Sequence, residues 1–119
     1  MDSKTYTEEC RRTEARSDWD SVAVKGEDDV RLLHTVMGIS TEAGEVLDIL
    51  KKDIFYNREF DRIHFLKELG DVMWYVAMAA DIVDSSLEEV MQMNIDKLRA
   101  RYPEKFTTEL ANHRKEGDI

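Results

Sequence analysis

Two short acidic motifs are the residues of this chain whose types and spacing could do chemistry. They read E-A-G-E at residues 42–45 and E-L-G-D at residues 68–71, and each is followed by apolar residues. In an α-helix, residues three apart differ by about 60° around the axis, so each motif can direct two carboxylates toward one point. Two such helices packed face to face would bring together four carboxylates, which belong to Glu42, Glu45, Glu68 and Asp71.

The acidic residues of both motifs lie within apolar helix faces. The chain has 26 Asp and Glu among 119 residues, so about five or six acidic pairs with this spacing are expected by chance. On a helical wheel, however, Val46 lies about 40° from Glu42, and Val72 lies about 40° from Glu68. This placement favours a partly buried cluster, and the simpler alternative is a pair of amphipathic helices with coincidental acids.

A cluster of four carboxylates predicts a bound cation. Carboxylates that share a partly buried space repel one another and lose hydration, so they must take up protons or bind cations. Oxygen ligands favour Mg²⁺ or Mn²⁺, and the single cysteine, Cys10, excludes an internal disulfide and a cysteine-based zinc site. Glycine inside a helix costs about 1 kcal/mol relative to alanine, so its recurrence as Gly44 and Gly70 predicts a close backbone approach beside the acids.

A di-iron carboxylate bundle is a rival interpretation of the same acids. Asp61 and His64 stand three residues apart and fall on the same helix face as the second motif. A di-iron site of this type needs a second acid three residues before a histidine. The residues three before His34 and His113 are arginine and leucine, so the sequence lacks the second half of such a site.

The two motifs, taken with their surroundings, resemble the signature of the all-α nucleoside triphosphate pyrophosphohydrolases of the MazG-like group. The similarity begins near Thr35 and extends through the run at residues 94–103, which is well over half of the chain. Thr41 stands where many members carry a further glutamate, so the number of metal ions is not predicted. The resemblance implies Mg²⁺-dependent hydrolysis of a nucleoside triphosphate between the α and β phosphates, which releases a monophosphate and pyrophosphate.

The resemblance also implies roles for individual residues. The four acidic residues of the motifs would be metal ligands, and either Glu42 or Glu45 would take the proton from the attacking water. Asn94, Lys97 and Arg101 recur at helical spacing and could contact the phosphates, with Lys52 as a weaker candidate. For each basic residue, a solvated charge near a helix end is an equal alternative.

Three further residues could line a pocket for the nucleotide base. His34, Trp74 and Tyr75 are aromatic or amphipathic side chains on the helices that carry the acidic motifs. Such groups are more often part of a core or its rim, which is the alternative here. The base itself is not predicted.

The elements that must position these residues are helices. One proline, five glycines and the abundance of good helix formers favour an all-α bundle of about four helices. A loop that contains Trp19 is expected at Ser17–Gly26, and a polar tail is expected from Glu104. The predicted helices run from about Thr5 to Arg16, Glu27 to Tyr56 with Asn57 as its stop, Asp61 to Asp84, and Ser85 or Ser86 to Arg101.

Composition narrows the class of protein and its partners. A length of 119 residues predicts one domain, residues 1–119, whose core is thin unless it forms a homodimer or homotetramer. The net charge of −9 argues against nucleic acid and anionic membranes as partners. With no signal-like or membrane-spanning run, we expect a cytoplasmic protein whose partner is a nucleoside triphosphate. The alternative function is a non-catalytic helical dimer that acts as a binding module.

Overall fold

The helices of the protein confirm the all-α class. The structure is a computed structural model that describes residues 1–15, 26–114 and 118. Within these residues all regular elements are helical, and four of the five helices are long. They are α1 (Ser3–Arg12), α2 (Glu27–Tyr56), α3 (Arg62–Ile82), α4 (Leu87–Arg101) and α5 (Thr108–Asn112).

Helix α1 begins and ends earlier than the sequence predicts. The Asp2 carboxylate accepts a hydrogen bond from the Thr5 backbone N–H at 2.8 Å and caps the helix start. At the other end, the Thr13 hydroxyl donates to the Cys10 carbonyl at 3.1 Å, which satisfies a carbonyl that a longer helix would use. The predicted loop at Ser17–Gly26, with Trp19, lies outside the described residues apart from Gly26.

Helices α2 and α3 form an antiparallel hairpin. Helix α2 has the predicted bounds, with three acids at its positive end, and it stops at Asn57, which has left-handed backbone angles (φ 53°, ψ 37°). The Asp61 carboxylate then accepts a hydrogen bond from the His64 backbone N–H at 3.0 Å and starts α3. Helix α3 ends at Ile82, two residues before the predicted bound at Asp84, whose own backbone is left-handed (φ 59°). The short connection keeps the two helices adjacent along their length.

Hydrogen bonds made by two serines cap the start of α4, as the sequence predicts. The Ser86 hydroxyl accepts a hydrogen bond from the Glu89 backbone N–H at 3.1 Å, and the Ser85 hydroxyl donates to the Glu89 carboxylate at 2.9 Å. The helix runs to Arg101, shortly before Pro103. The tail beyond it forms the short helix α5, and Asp118 returns to make an ion pair with Arg101.

The α2–α3 interface contains the most buried residues. Thr35 and Ala80 retain only 3% and 5% of their accessible surface. Gly38 is the close approach between the helices, because the Tyr75 ring occupies the space that a Cβ at this position would need. The prediction of close approach at Gly44 and Gly70 was wrong for the single chain, since a Cβ at either position would meet open space.

A single copy of the chain leaves a large apolar surface uncovered. Its radius of gyration is 20.2 Å, whereas a compact domain of this length has one of about 13–14 Å. Its accessible surface is 10311 Å², compared with about 6,700 Å² for a compact monomer of the same mass. Among the described apolar side chains, five that are more than half exposed are Leu47, Ile54, Phe55, Met73 and Trp74. None of the described helices combines the length and apolar character that membrane crossing requires.

Candidate metal centre and its adjoining cavities

Three carboxylates from the α2–α3 hairpin form the centre of the site. Glu42 lies on α2, and Glu68 and Asp71 lie one turn apart on α3. One carboxylate oxygen from each residue lies within 4.8 Å of the others. Glu42 and Glu68 are half-buried, and Asp71 is exposed. We call these three residues the carboxylate trio.

Glu45, the fourth predicted ligand, lies outside the trio. It is exposed and stands one helical turn beyond Glu42, toward the hairpin connection. Its charge still acts on the trio, because it is one of the groups that raise the pKa of Glu42. The structure therefore gathers three of the four predicted ligands and leaves the fourth at the edge.

The electrostatics of Glu42 follow from its surroundings. Loss of hydration is the largest cause that raises the pKa of this carboxyl above its ordinary value, and the charges of Asp71, Glu68 and Glu45 raise it further. Glu42 and Glu68 are also close enough to share a hydrogen bond between their side chains. The trio thus contains negative charge that a proton or a cation would relieve.

The trio fits a hard divalent cation. Its donors are carboxylate oxygens from two rigid helices, which is the ligand chemistry that Mg²⁺ and Mn²⁺ prefer. No histidine or cysteine belongs to it, and within the described residues no second cluster of potential metal ligands is found. This donor set does not supply the histidines of a di-iron carboxylate site.

His64 is not part of the trio but contacts one of its residues. Its Nε2 atom lies 3.0 Å from Oε1 of Glu68, one turn further along α3. The Glu68 side chain is 18% exposed and the His64 side chain is 54% exposed, so the contact joins a mostly buried carboxylate to an exposed histidine. Asp61, the other residue of the di-iron alternative, uses its carboxylate to cap α3. Sequence spacing had linked His64 to the acids but had given it a different role.

An aromatic cavity adjoins the trio on the side away from the hairpin connection. Its volume is about 350 Å³, and it is lined by Glu42, Asp71, Trp74 and Tyr75. The Tyr75 ring makes edge-to-face contacts with Trp74 at 4.9 Å and with His34 at 5.6 Å between ring centroids. The predicted base-pocket residues His34 and Trp74 are therefore brought together through Tyr75, beside two residues of the trio.

A polar cavity adjoins the site on the other side, near the hairpin connection. Its volume is about 270 Å³, and it is lined by Glu45, Asp48, Ile49, Lys52, Arg58, Glu59, Asp61 and His64. Lys52 lies on its wall but is paired with Asp48 at 2.6 Å. That hydrogen bond is the main cause that lowers the pKa of Asp48, and the charges of Lys51 and Arg58 contribute. Arg58, which the sequence analysis missed, lies in the connection, where helical periodicity gives no signal.

The predicted phosphate contacts on α4 are not brought to these two cavities. Asn94, Lys97 and Arg101 are absent from the lining of both. Arg101 donates two hydrogen bonds to Asp118, at 2.8 and 2.9 Å, and its side chain is 9% exposed. A phosphate role for these three residues stays a prediction, and for Arg101 it requires the release of Asp118.

The fold and the site define an all-α protein whose central helical hairpin carries a cluster of three carboxylates that could hold a metal ion. A model of the MazG nucleotide pyrophosphohydrolase domain matches residues 32–106, which contain most of α2 and all of α3 and α4. The chain belongs to the MazG nucleotide pyrophosphohydrolase family. This confirms the resemblance seen in the sequence.

A curated relative and the solved structures add further comparisons. The Gene 37 protein of Mycobacterium phage L5 is 41% identical over 75 residues, which cover 59% of this chain and 65% of the phage protein. The chain therefore spans slightly less than two thirds of that relative. No solved structure shows significant similarity to the chain.

Proposed function

We propose that the protein hydrolyses nucleoside triphosphates between the α and β phosphates and releases a monophosphate and pyrophosphate. The observation that carries this proposal is the carboxylate trio, with one oxygen from each residue within 4.8 Å of the others, in a chain of the MazG family. The aromatic cavity beside the trio gives a place for a nucleotide base. A specific base or sugar is not part of the proposal.

Each residue of the site has a task in this reaction. Glu42, Glu68 and Asp71 would hold Mg²⁺, or Mn²⁺ in its place, while His64 fixes the Glu68 carboxylate through the 3.0 Å contact. The ion supplies positive charge to the phosphate oxygens and makes the attacking water more acidic. Trp74 and Tyr75 hold the base, with His34 against the Tyr75 ring.

Glu42 or Glu45 would take the proton from the attacking water. Glu45 lies outside the trio, and Glu42 belongs to the trio and also lines the aromatic cavity. Water attacks the α phosphorus, the bond from this phosphorus to the bridging oxygen breaks, and pyrophosphate leaves with the electron pair. The proton lost by the water passes to Glu42 or Glu45 and then to solvent.

We further propose that the working unit is a homodimer or a homotetramer. The support is the apolar surface of the single chain, which includes Phe55 at 75% exposed and Ile54 at 68%. The accessible surface exceeds that of a compact monomer by about 3,600 Å² per chain, or about 7,200 Å² for two copies, which is at or above the upper end of the total area that obligate subunit interfaces bury. The predicted single domain, residues 1–119, would find the rest of its core in the second copy.

The decisive experiment is a panel of ribo- and deoxyribonucleoside triphosphates with Mg²⁺ in ¹⁸O-labelled water. We expect monophosphate and pyrophosphate, with the label in the monophosphate because water attacks the α phosphorus. Asp71→Asn should reduce turnover by several orders of magnitude, since it removes a trio ligand. Asp81→Asn is the matched control, because Asp81 is an exposed residue of the same helix outside the trio.

Two outcomes contradict the proposal. Diphosphate with labelled orthophosphate would show cleavage at the γ phosphorus. No turnover, together with no effect of Mg²⁺ on the native chain, would favour the alternative of a non-catalytic binding module.

A further inference from the structure

The two cavities and the trio follow one another along the axis of the α2–α3 hairpin. Helices α2 and α3 are antiparallel. Descending residue numbers from Lys52 in α2 and ascending residue numbers from His64 in α3 therefore lead in the same direction, away from the hairpin connection. Starting at the hairpin connection, the order is the polar cavity, then the trio, then the aromatic cavity. At about 1.5 Å per residue, the axial distance from Lys52 to Glu45 is about 10 Å, so the polar cavity extends along about two turns of α2.

The polar cavity contains one cation, Arg58, whose side chain makes no hydrogen bond or ion pair with a described residue, although its charge acts on Asp48 across the cavity. Lys52 is paired with Asp48. His64 contacts Glu68, and Asp61 caps α3. The guanidinium of Arg58 has no such contact.

The backbone of Arg58 is fixed at the cavity wall. Its N–H donates to the Lys52 carbonyl at 3.2 Å, directly after the left-handed residue Asn57. A guanidinium is the side chain best suited to phosphate, since it can donate two parallel hydrogen bonds to two oxygens. The guanidinium of Arg58 is thus available to a ligand in the polar cavity, on a connection whose backbone is hydrogen-bonded to the end of α2.

The acids on the same wall determine which anion can enter. Glu45, Asp48, Glu59 and Asp61 all line the cavity, so a bare anion would be repelled. A phosphate group that arrives with its divalent ion carries less net charge and meets Arg58 without that penalty. The cavity therefore suits magnesium-complexed phosphate rather than free phosphate.

We propose that the polar cavity is the subsite for the β and γ phosphates of the substrate and for the pyrophosphate product, with Arg58 as its contact. The nucleotide then lies along the hairpin, with its base in the aromatic cavity and its phosphate tail directed toward the hairpin connection. This inference rests on the proposed function and adds the direction in which the substrate lies.

Calorimetric titration of the full chain with magnesium pyrophosphate, and separately with a nucleoside monophosphate, tests the inference. Arg58→Ala should weaken magnesium pyrophosphate binding about tenfold or more, the effect of losing a charged hydrogen bond, and should leave monophosphate binding unchanged. Arg58→Lys should restore part of the loss. Arg62→Ala is the matched control, because Arg62 carries the same charge nearby but lines a different cavity, and it should change neither ligand.

A variant in the aromatic cavity tests where the base end of the substrate binds. Trp74→Ala should weaken monophosphate binding and leave magnesium pyrophosphate unchanged. Equal losses in Arg58→Ala and Arg62→Ala, unchanged pyrophosphate binding in Arg58→Ala, or a native enzyme that hydrolyses triphosphates without binding magnesium pyrophosphate would each overturn the inference. These outcomes differ from failure of the proposed function, in which the native chain does not form monophosphate and pyrophosphate.

Discussion

At the residue scale, Glu42 links the stability of the fold to pH. Its carboxyl has a raised pKa, chiefly because it loses hydration and then because of the neighbouring acids. A raised folded-state pKa means that ionised Glu42 destabilises the metal-free fold, and the effect grows as pH rises from the ordinary value of 4.5 through the raised one. Below 4.5 the carboxyl is protonated in both states and the effect vanishes.

Glu42→Gln should therefore raise the melting temperature of the metal-free protein at neutral pH. The gain over the native chain should shrink as the pH falls toward the ordinary value for glutamate, because the native carboxyl then becomes protonated and both proteins are uncharged at this position. Thermal melts in a chelator across a pH series measure it. In Mg²⁺ the order should reverse, because the variant loses a ligand. A variant less stable than the native chain in chelator at neutral pH would contradict the repulsion.

His64 provides a second prediction at this scale. His64→Ala should weaken Mn²⁺ binding by about 10- to 100-fold, because Glu68 loses the contact that orients it. Titration followed by electron paramagnetic resonance gives the affinity, and His64→Gln, which keeps a donor at similar reach, should recover part of it. Lys67→Ala on the same helix should have no effect. Equal Mn²⁺ affinities in His64→Ala and the native chain would remove His64 from the site.

The residues of the trio could be predicted from the sequence, whereas the position of Arg58 and the helix contact at Gly38 could not. Helical periodicity placed Glu42, Glu68 and Asp71 on facing surfaces, and these are the residues that the structure brings together. The position of Arg58 could not be predicted, because it depends on the backbone conformation of the connection between α2 and α3. The close approach occurs at Gly38 rather than Gly44, since the contact between two helices depends on their crossing geometry, which periodicity does not specify.

At the element scale, capping chemistry explains which helix ends could be predicted. Asn57 and Asp61 have strong local preferences for a helix stop and a helix start, so their roles were foreseen correctly. The end of α1 was predicted too late in the chain. The residues around Thr13 mostly favour helix, so the sequence did not show that the Thr13 hydroxyl would bond to a helix carbonyl and end the helix there.

The Arg101–Asp118 ion pair makes the stability of the C-terminal tail depend on pH. The hydrogen bonds from Arg101 are the main cause that lowers the pKa of Asp118. The pair therefore stabilises the tail above the ordinary value for aspartate, 3.8, and this contribution is lost as pH falls through the lowered one. Asp118→Asn should speed hydrogen exchange in α5 at neutral pH.

The control for this prediction is the exchange of the α2–α3 hairpin. It should be the same in both proteins, because no described contact of Asp118 reaches the hairpin. Equal exchange of α5 in the variant and the native chain at neutral pH would show that the ion pair does not hold the tail.

At the scale of the whole molecule, the exposed apolar surface predicts association. Light scattering should give at least twice the chain mass of 13.9 kDa for the folded protein at micromolar concentration. Leu47→Glu should shift it toward monomer, because Leu47 is 66% exposed in the single chain and a buried charge would be costly in an interface. Lys67→Glu, a charge change at a polar exposed position, is the control. A folded native monomer would contradict the proposed assembly.

The hairpin connection at Asn57 also has a consequence for how the site comes into being. The trio and both cavities belong to two helices that are joined by a few residues, so their contacts are local in sequence and little loop-closure entropy opposes them. The carboxylate trio can therefore form within a single nascent chain. A divalent ion would then accelerate refolding at a step whose rate is independent of protein concentration.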